Sequence, residues 1–130
     1  LVRHPTVYAE LLADKIRKHG SQPWLVSTGW TGGPYGEGHR IDLPHTRSII
    51  DAIHGGDLLD VPTTTDDYFG LEIPLECPNV PDKVLTPWDT WQEEQEYHEQ
   101  AEELVALFQE NFEHFEDGAS QEIIEAGPSA

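Results

Sequence analysis

Basic residues are scarce in this chain. Seven lysines and arginines stand against 25 aspartates and glutamates over 130 residues, a formal net charge of -18. Lys15, Lys18 and Lys83 are its only lysines. A surface this acidic repels nucleic-acid phosphates and anionic lipid headgroups, so neither nucleic acid nor membrane is an expected partner. Acid excess with so few lysines also fits adaptation to high salt, where screening removes the self-repulsion. The ordinary alternative is an acidic helix surface, because many of the acids follow Asp89. Cysteine is nearly absent: Cys77 stands alone, so the chain holds no disulfide framework, as suits a reducing compartment. No apolar run is long enough to cross a bilayer, and no signal peptide is expected in these residues. The expected location is the cytoplasm. Methionine is absent and the first residue is Leu1, too large for the usual removal of an initiator methionine. The sequence is therefore expected to be a piece of a longer chain. Hydrophobic residues make up 37%, low for a self-sufficient domain yet above the range of disorder.

Several motifs are missing as well. A Walker A loop needs a lysine directly after its last glycine, but Gly38 is followed by His39 and Arg40. A dinucleotide fingerprint needs a third glycine that Gly36-Glu37-Gly38 does not supply. His98-Glu99-Gln100-Ala101-Glu102 places Glu102 where a zinc-binding HExxH needs its second histidine. Glu94/His98 and Glu110/His114 are helix-surface spacings rather than ligand sets. Cys77 shows no sign of an activated thiolate. No catalytic residue and no metal ligand is expected within this chain.

What is present is a glycine-rich stretch between an apolar run and a helix start, over residues 25–50 (LVSTGWTGGPYGEGHRIDLPHTRSII). Five glycines fall between Gly29 and Gly38. Glycine permits positive φ and close backbone approach, so such a loop can wrap a ligand or merely make a tight turn. Arg40 follows the loop at once. Its guanidinium can stack on a flat ring or pair with a phosphate, or form an ion pair with Asp42. Thr46 can hydrogen-bond a ligand or cap the following helix.

Around this stretch the pattern predicts a helix over residues 4–20, with Pro5 in its first turn, Gly20 past its end and Val7, Leu11, Leu12 and Ile16 as an apolar stripe. Residues 22–28 (QPWLVST) read as a short buried strand, and residues 40–43 as extended. A second helix starts near Pro44 or His45 and ends at His54, with Gly55-Gly56 as the stop and Ile49, Ile50 and Ile53 as its apolar face. Residues 57–87 are proline-rich without helical period, apart from a possible strand over 68–74. Residues 90–116 form the clearest helix, its stripe being Tyr97, Ala101, Leu104, Phe108, Phe112 and Phe115. A short helix over 121–125 closes the chain. Trp88 and Trp91 read as packing residues. The fold class is α/β, helical mainly in its second half.

These segments resemble, in order and end to end, the C-terminal part of the ATP-dependent phosphoenolpyruvate carboxykinases. HPTVYAELLADKIRKHG is similar to the helix before that family's glycine loop, and LVSTGWTGGPYGEGHRI matches its signature. HTRSIIDAI matches the next helix, FGLEIPLECPNVPDKVLTPWDTW a proline-rich segment, and LFQENFEHFED the terminal helix. The resemblance implies the C-terminal portion of the carboxykinase nucleotide-binding domain over residues 1–130, with short strands, a glycine-rich loop and a long C-terminal helix. It implies a reaction converting oxaloacetate and ATP to phosphoenolpyruvate, CO2 and ADP in gluconeogenesis, with Mg2+ and Mn2+ held outside this segment. It also implies that Arg40, the backbone of Ile41, and Thr46 contact the adenine nucleotide. The phosphate loop, catalytic lysine, metal ligands and oxaloacetate-binding arginines of that family lie in earlier parts of its chain, so this piece alone is expected to be inactive. A non-catalytic acidic interaction module is the rival expectation. Four positions depart from the family pattern. Ser27 stands where asparagine is usual, His39 where lysine is common, Asp42 where serine is common and Trp88 where arginine is common.

Overall fold

Local signals set the helices. The computed structural model describes residues 2–129; Leu1, on which the expectation about the start of the chain rests, lies outside them. Helix α1 spans Pro5–His19, and Gly20 ends it in the left-handed conformation, its N–H donating to the Ile16 carbonyl. Proline suits this first turn because its missing N–H would be unpaired anyway. Helix α2 spans Leu43–Gly55 and ends the same way at Gly56. Helix α3 spans Glu94–Glu113, and α4 spans Gln121–Glu125 with the Ser120 hydroxyl accepting from the Ile123 N–H.

The strands are short and pair only within hairpins. Strands β1 (Trp30–Thr31) and β2 (His39–Arg40) are antiparallel, with Trp30 opposite Arg40 and Thr31 opposite His39. Strands β3 (Thr63–Thr65) and β4 (Glu72–Pro74) form a second antiparallel pair, with Thr64 opposite Ile73. Two 3-10 turns, Asp82–Val84 and Pro87–Thr90, lead into α3. The architecture is thus mixed helix with small sheets, within the expected class.

Several expectations need correction. Residues 22–28 form no strand, and Leu25 is 83% exposed. An apolar run becomes a strand only when a neighbour offers its N–H and C=O groups, and none does here among the described residues. Of the expected strand over 68–74 only Glu72–Pro74 remains, because residues 66–70 turn back on themselves with Gly70 at φ 62°. Residues 40–43 are not uniformly extended, since α2 begins at Leu43. The long helix begins at Glu94 rather than near residue 90, where the second 3-10 turn takes the chain.

The core is small. Ala52, Leu58, Cys77 and Val80 form its buried centre, with Trp24, Ile49, Ile53, Val61, Val84 and Leu85 packed around them. On α3 the deeply buried residues are Ala101 and Val105, while Leu104 and Phe108 of the expected stripe remain 41% and 51% exposed. The α1 stripe is barer still, with Leu11 and Leu12 more than half exposed. Among the described residues helix α1 packs broadly against no other element. It touches the rest near its start, where the His4 ring lies 6.3 Å from Phe115. The accessible surface is 9639 Å². A compact monomer of this mass would expose about 6,900 Å². The excess surface and the uncovered stripes have one cause: amphipathic helices whose apolar faces meet too few partners.

Candidate functional site: the glycine hairpin and the start of α2

The β1–β2 hairpin presents Arg40 at its base. The Ile41 N–H donates to the Gly29 carbonyl at 3.0 Å, extending the ladder one residue past Arg40. The loop tip is tied inside itself, since the N–H groups of Glu37 and Gly38 both donate to the Pro34 carbonyl, at 3.1 and 3.0 Å. Glycine is required at two points. A Cβ on Gly38 would lie 2.7 Å from the carbonyl oxygens of both Gly33 and Thr31. Gly32 has φ 76°, and a Cβ there would press on the His39 ring at 3.1 Å and the Thr90 carbonyl at 3.2 Å. The hairpin therefore closes backbone on backbone, in a manner no larger residue allows.

From this base the chain turns directly into α2. Asp42 is the N-cap residue, but its side chain accepts no capping hydrogen bond. Pro44 occupies the first turn. Thr46 lies one turn in, its N–H donating to the Asp42 carbonyl at 3.2 Å. The capping role weighed for Thr46 thus falls to another position. Its hydroxyl makes no hydrogen bond among the described residues, and the side chain is half-buried. Arg40 is exposed and enters no ion pair there either, so the pairing with Asp42 does not form. The Ile41 N–H is committed to the ladder, and the Ile41 carbonyl accepts no hydrogen bond among the described residues. Next to Thr46, His45 keeps its Nδ1 buried without a partner.

Arg40, Ile41 and Thr46 thus share one short connection, with a guanidinium, carbonyl and hydroxyl that have no partner among the described residues. A flat, polar ligand is the chemistry such a set can recognise: the guanidinium by stacking or ionic pairing, the other two by hydrogen bonds.

One residue of this region was assigned no role at the hairpin from the sequence. Thr90, in the second 3-10 turn, accepts a hydrogen bond from the Thr31 hydroxyl at 3.0 Å and another from the Gly32 N–H at 3.1 Å. Its own hydroxyl donates to the Pro87 carbonyl at 2.6 Å. A threonine three residues after proline announces a local turn, and nothing local announces contacts 58 and 59 residues away. The adjoining aromatics pack as expected. Trp88 and Trp91 meet the Tyr97 ring edge-on at 6.3 and 5.8 Å.

The other titratable groups lie elsewhere. Cys77 is buried in the core, and burial, helped by the Asp57 carboxylate, pushes its thiol up, which makes it a poor nucleophile at neutral pH. A cleft of about 150 Å³ between the β3–β4 hairpin and α3 is lined by residues including Asp66, Tyr68, Trp88 and His98, and contains none of Arg40, Ile41 or Thr46. Burial, then the carboxylates of Glu102, Asp67 and Asp66, raise the Tyr68 phenol. Its oxygen and His98 Nδ1 are 2.7 Å apart, and His98 Nε2 lies 3.6 Å from Glu94. Among the described residues no three histidines, cysteines or acids are grouped to hold a metal ion, and no helix is long and apolar enough to cross a membrane.

Comparison with known proteins gives this geometry its context. The family profile described as phosphoenolpyruvate carboxykinase matches residues 1–83, which include the whole glycine hairpin and α2. The chain is 58% identical to phosphoenolpyruvate carboxykinase (ATP) 2 of Salinibacter ruber, over 98% of this chain and 24% of that protein. It is 50% identical to phosphoenolpyruvate carboxykinase (ATP) of Thermus thermophilus, again over 98% of this chain and 24% of the relative. For the Dictyostelium discoideum protein of the same name the identity is 49%, over 98% and 23%. The chain spans about a quarter of the length of these relatives. With a profile match over more than half its residues and relatives of one name along nearly all of it, the chain belongs to the ATP-dependent phosphoenolpyruvate carboxykinase family.

Proposed function

We propose that this chain is the C-terminal portion of the nucleotide-binding domain of an ATP-dependent carboxykinase, over residues 1–130. In that reading the complete enzyme converts oxaloacetate and ATP to phosphoenolpyruvate, CO2 and ADP, the reaction used in gluconeogenesis. The observation that carries it is the alignment of nearly the whole chain with relatives named for that activity. Here the segment supplies one wall of the adenine-nucleotide site. Arg40 stacks on or pairs with the nucleotide, while the Ile41 carbonyl and the Thr46 hydroxyl accept or donate hydrogen bonds to it. The lack of internal partners for these three groups supports the assignment, because binding then breaks no contact already made. Asp42, in the same connection, would oppose a polyanionic ligand unless its side chain points away from it.

The Mg2+ and Mn2+ that such an enzyme uses would supply charge neutralisation at the phosphates. Among the described residues no three histidines, cysteines or acids are grouped to hold either ion. The uncovered faces of α1 and α3 favour this reading over a free-standing interaction module, which would bury Val7, Ile16, Leu104 and Phe108. In the structure Leu104 and Phe108 stay about half exposed.

Replacing Arg40 with alanine in the complete enzyme tests the site. Adenine contacts bind the ground and transition states alike, so KM for ATP should rise about tenfold while kcat changes little. An unchanged KM removes Arg40 from the nucleotide site. The same assay on the isolated 130-residue segment should give no turnover.

A further inference from the structure

We infer that Thr90 is a nucleotide-positioning residue: through its hydroxyl the 3-10 turn before α3 sets where the glycine hairpin, and so Arg40, stands. The inference rests on the proposed nucleotide role of Arg40. Thr90 Oγ1 has one donor and two acceptor sites, and all three are used. The donated bond, to Pro87, merely closes its own turn. The two accepted bonds come from Thr31 and Gly32, where β1 passes into the loop. Thr31 pairs with His39, the neighbour of Arg40, and Trp30 pairs with Arg40 itself. Displacing the Thr31–Gly32 edge therefore displaces Arg40 with it.

The far end of the tether is firm. Thr86 is buried, and its hydroxyl donates to Asp89 at 2.7 Å. Trp88 and Trp91 both seat against Tyr97 on α3. At the near end, among the described residues, no side chain outside the hairpin other than that of Thr90 hydrogen-bonds the loop, and β1 and β2 pack broadly against each other, with α2 following β2 into the core. Gly32 also packs against the Thr90 carbonyl so closely that a Cβ would meet it at 3.2 Å. The hydroxyl thus joins a self-closed hairpin to a fixed platform on the long helix, and tilt of the hairpin is the freedom it removes.

The test compares Thr90→Val with Thr90→Ser in the complete enzyme. Valine keeps the shape and removes all three hydrogen bonds, whereas serine keeps the hydroxyl. Thr90→Val should speed amide exchange over residues 29–41 and raise KM for ATP about fivefold with kcat little changed. KM for oxaloacetate should not move, and Thr90→Ser should restore both readouts. A merely structural threonine would lower the unfolding temperature without splitting the two KM values. Unchanged exchange over residues 29–41 in Thr90→Val overturns the tether. Faster exchange with an unchanged KM for ATP, in an enzyme where Arg40→Ala does raise it, overturns the positioning role. If Arg40→Ala leaves KM unchanged as well, the nucleotide reading itself has failed, and the positioning role fails with it.

Discussion

The two hairpins of this chain solve the same problem in opposite ways. The β3–β4 hairpin is locked by its own side chains. Asp66 Oδ1 accepts from the N–H groups of Tyr68 and Phe69, at 3.1 and 2.6 Å, and the Glu72 carboxylate accepts from the hydroxyls of Thr63 and Thr65. All these partners lie within nine residues of one another. The β1–β2 hairpin has no such internal lock. Its loop is closed by backbone alone and borrows a side chain from Thr90. A hairpin that spends its polar side chains on itself is a structural piece. One that is held from behind leaves the Arg40 guanidinium and the Thr46 hydroxyl without partners among the described residues, as the proposed nucleotide role requires.

The sharpest way to break this contrast is to place the same methyl group on each loop. Gly38→Ala drives a Cβ against two carbonyl oxygens. It should destabilise the β1–β2 hairpin by about 3 kcal/mol, read as local opening in amide exchange. Gly70→Ala meets open space and only the strain of its φ of 62°, and should cost the β3–β4 hairpin about 1 kcal/mol. Equal costs would mean that the two loops do not differ as described. A middle-sized effect is expected for Asp66→Ala, which strips two part-buried N–H groups of their acceptor. About 2 kcal/mol of local stability should vanish from β3–β4 while exchange in residues 29–41 stays unchanged. The smallest effect is the pH response of Glu72. Hydrogen bonds from Thr63, then Thr65, hold its carboxyl below the usual glutamate range. A lowered folded-state pKa gives stability that is present above the unfolded pKa and is lost as pH falls through the folded one. Exchange in β3–β4 should therefore quicken on acidification below the ordinary glutamate range. Glu72→Gln should flatten that response, and an unflattened one would assign it to another carboxyl.

The helices were legible because their signals are local. Pro5 and Gly20 bracket α1, and Pro44 and Gly56 bracket α2, each acting within one turn. The strands were not. Residues 22–28 have a strand's composition, but pairing needs a second chain segment, and composition cannot name one. Thr63–Thr65 shows no apolar alternation, and it becomes a strand because Asp66 turns the chain and Glu72 returns to meet it. On α3 the period of the sequence marked Ala101 for burial but missed Val105 and put Leu104 and Phe108 inward. Ala101 and Val105 are covered, while Leu104 and Phe108 on the flank are not.

By itself the sequence determined the limits of α1 and α2, the glycine loop and the short connection that bears Arg40, Ile41 and Thr46. Those follow from interactions spanning a few residues: proline geometry, the conformational freedom of glycine, helical spacing. Only the tertiary structure decided which of those groups are left unpaired and what holds them in place. A hydrogen bond from Thr31 to a residue 59 positions away depends on how the intervening chain is packed, and that packing is the sum of many weak contacts that no single segment encodes.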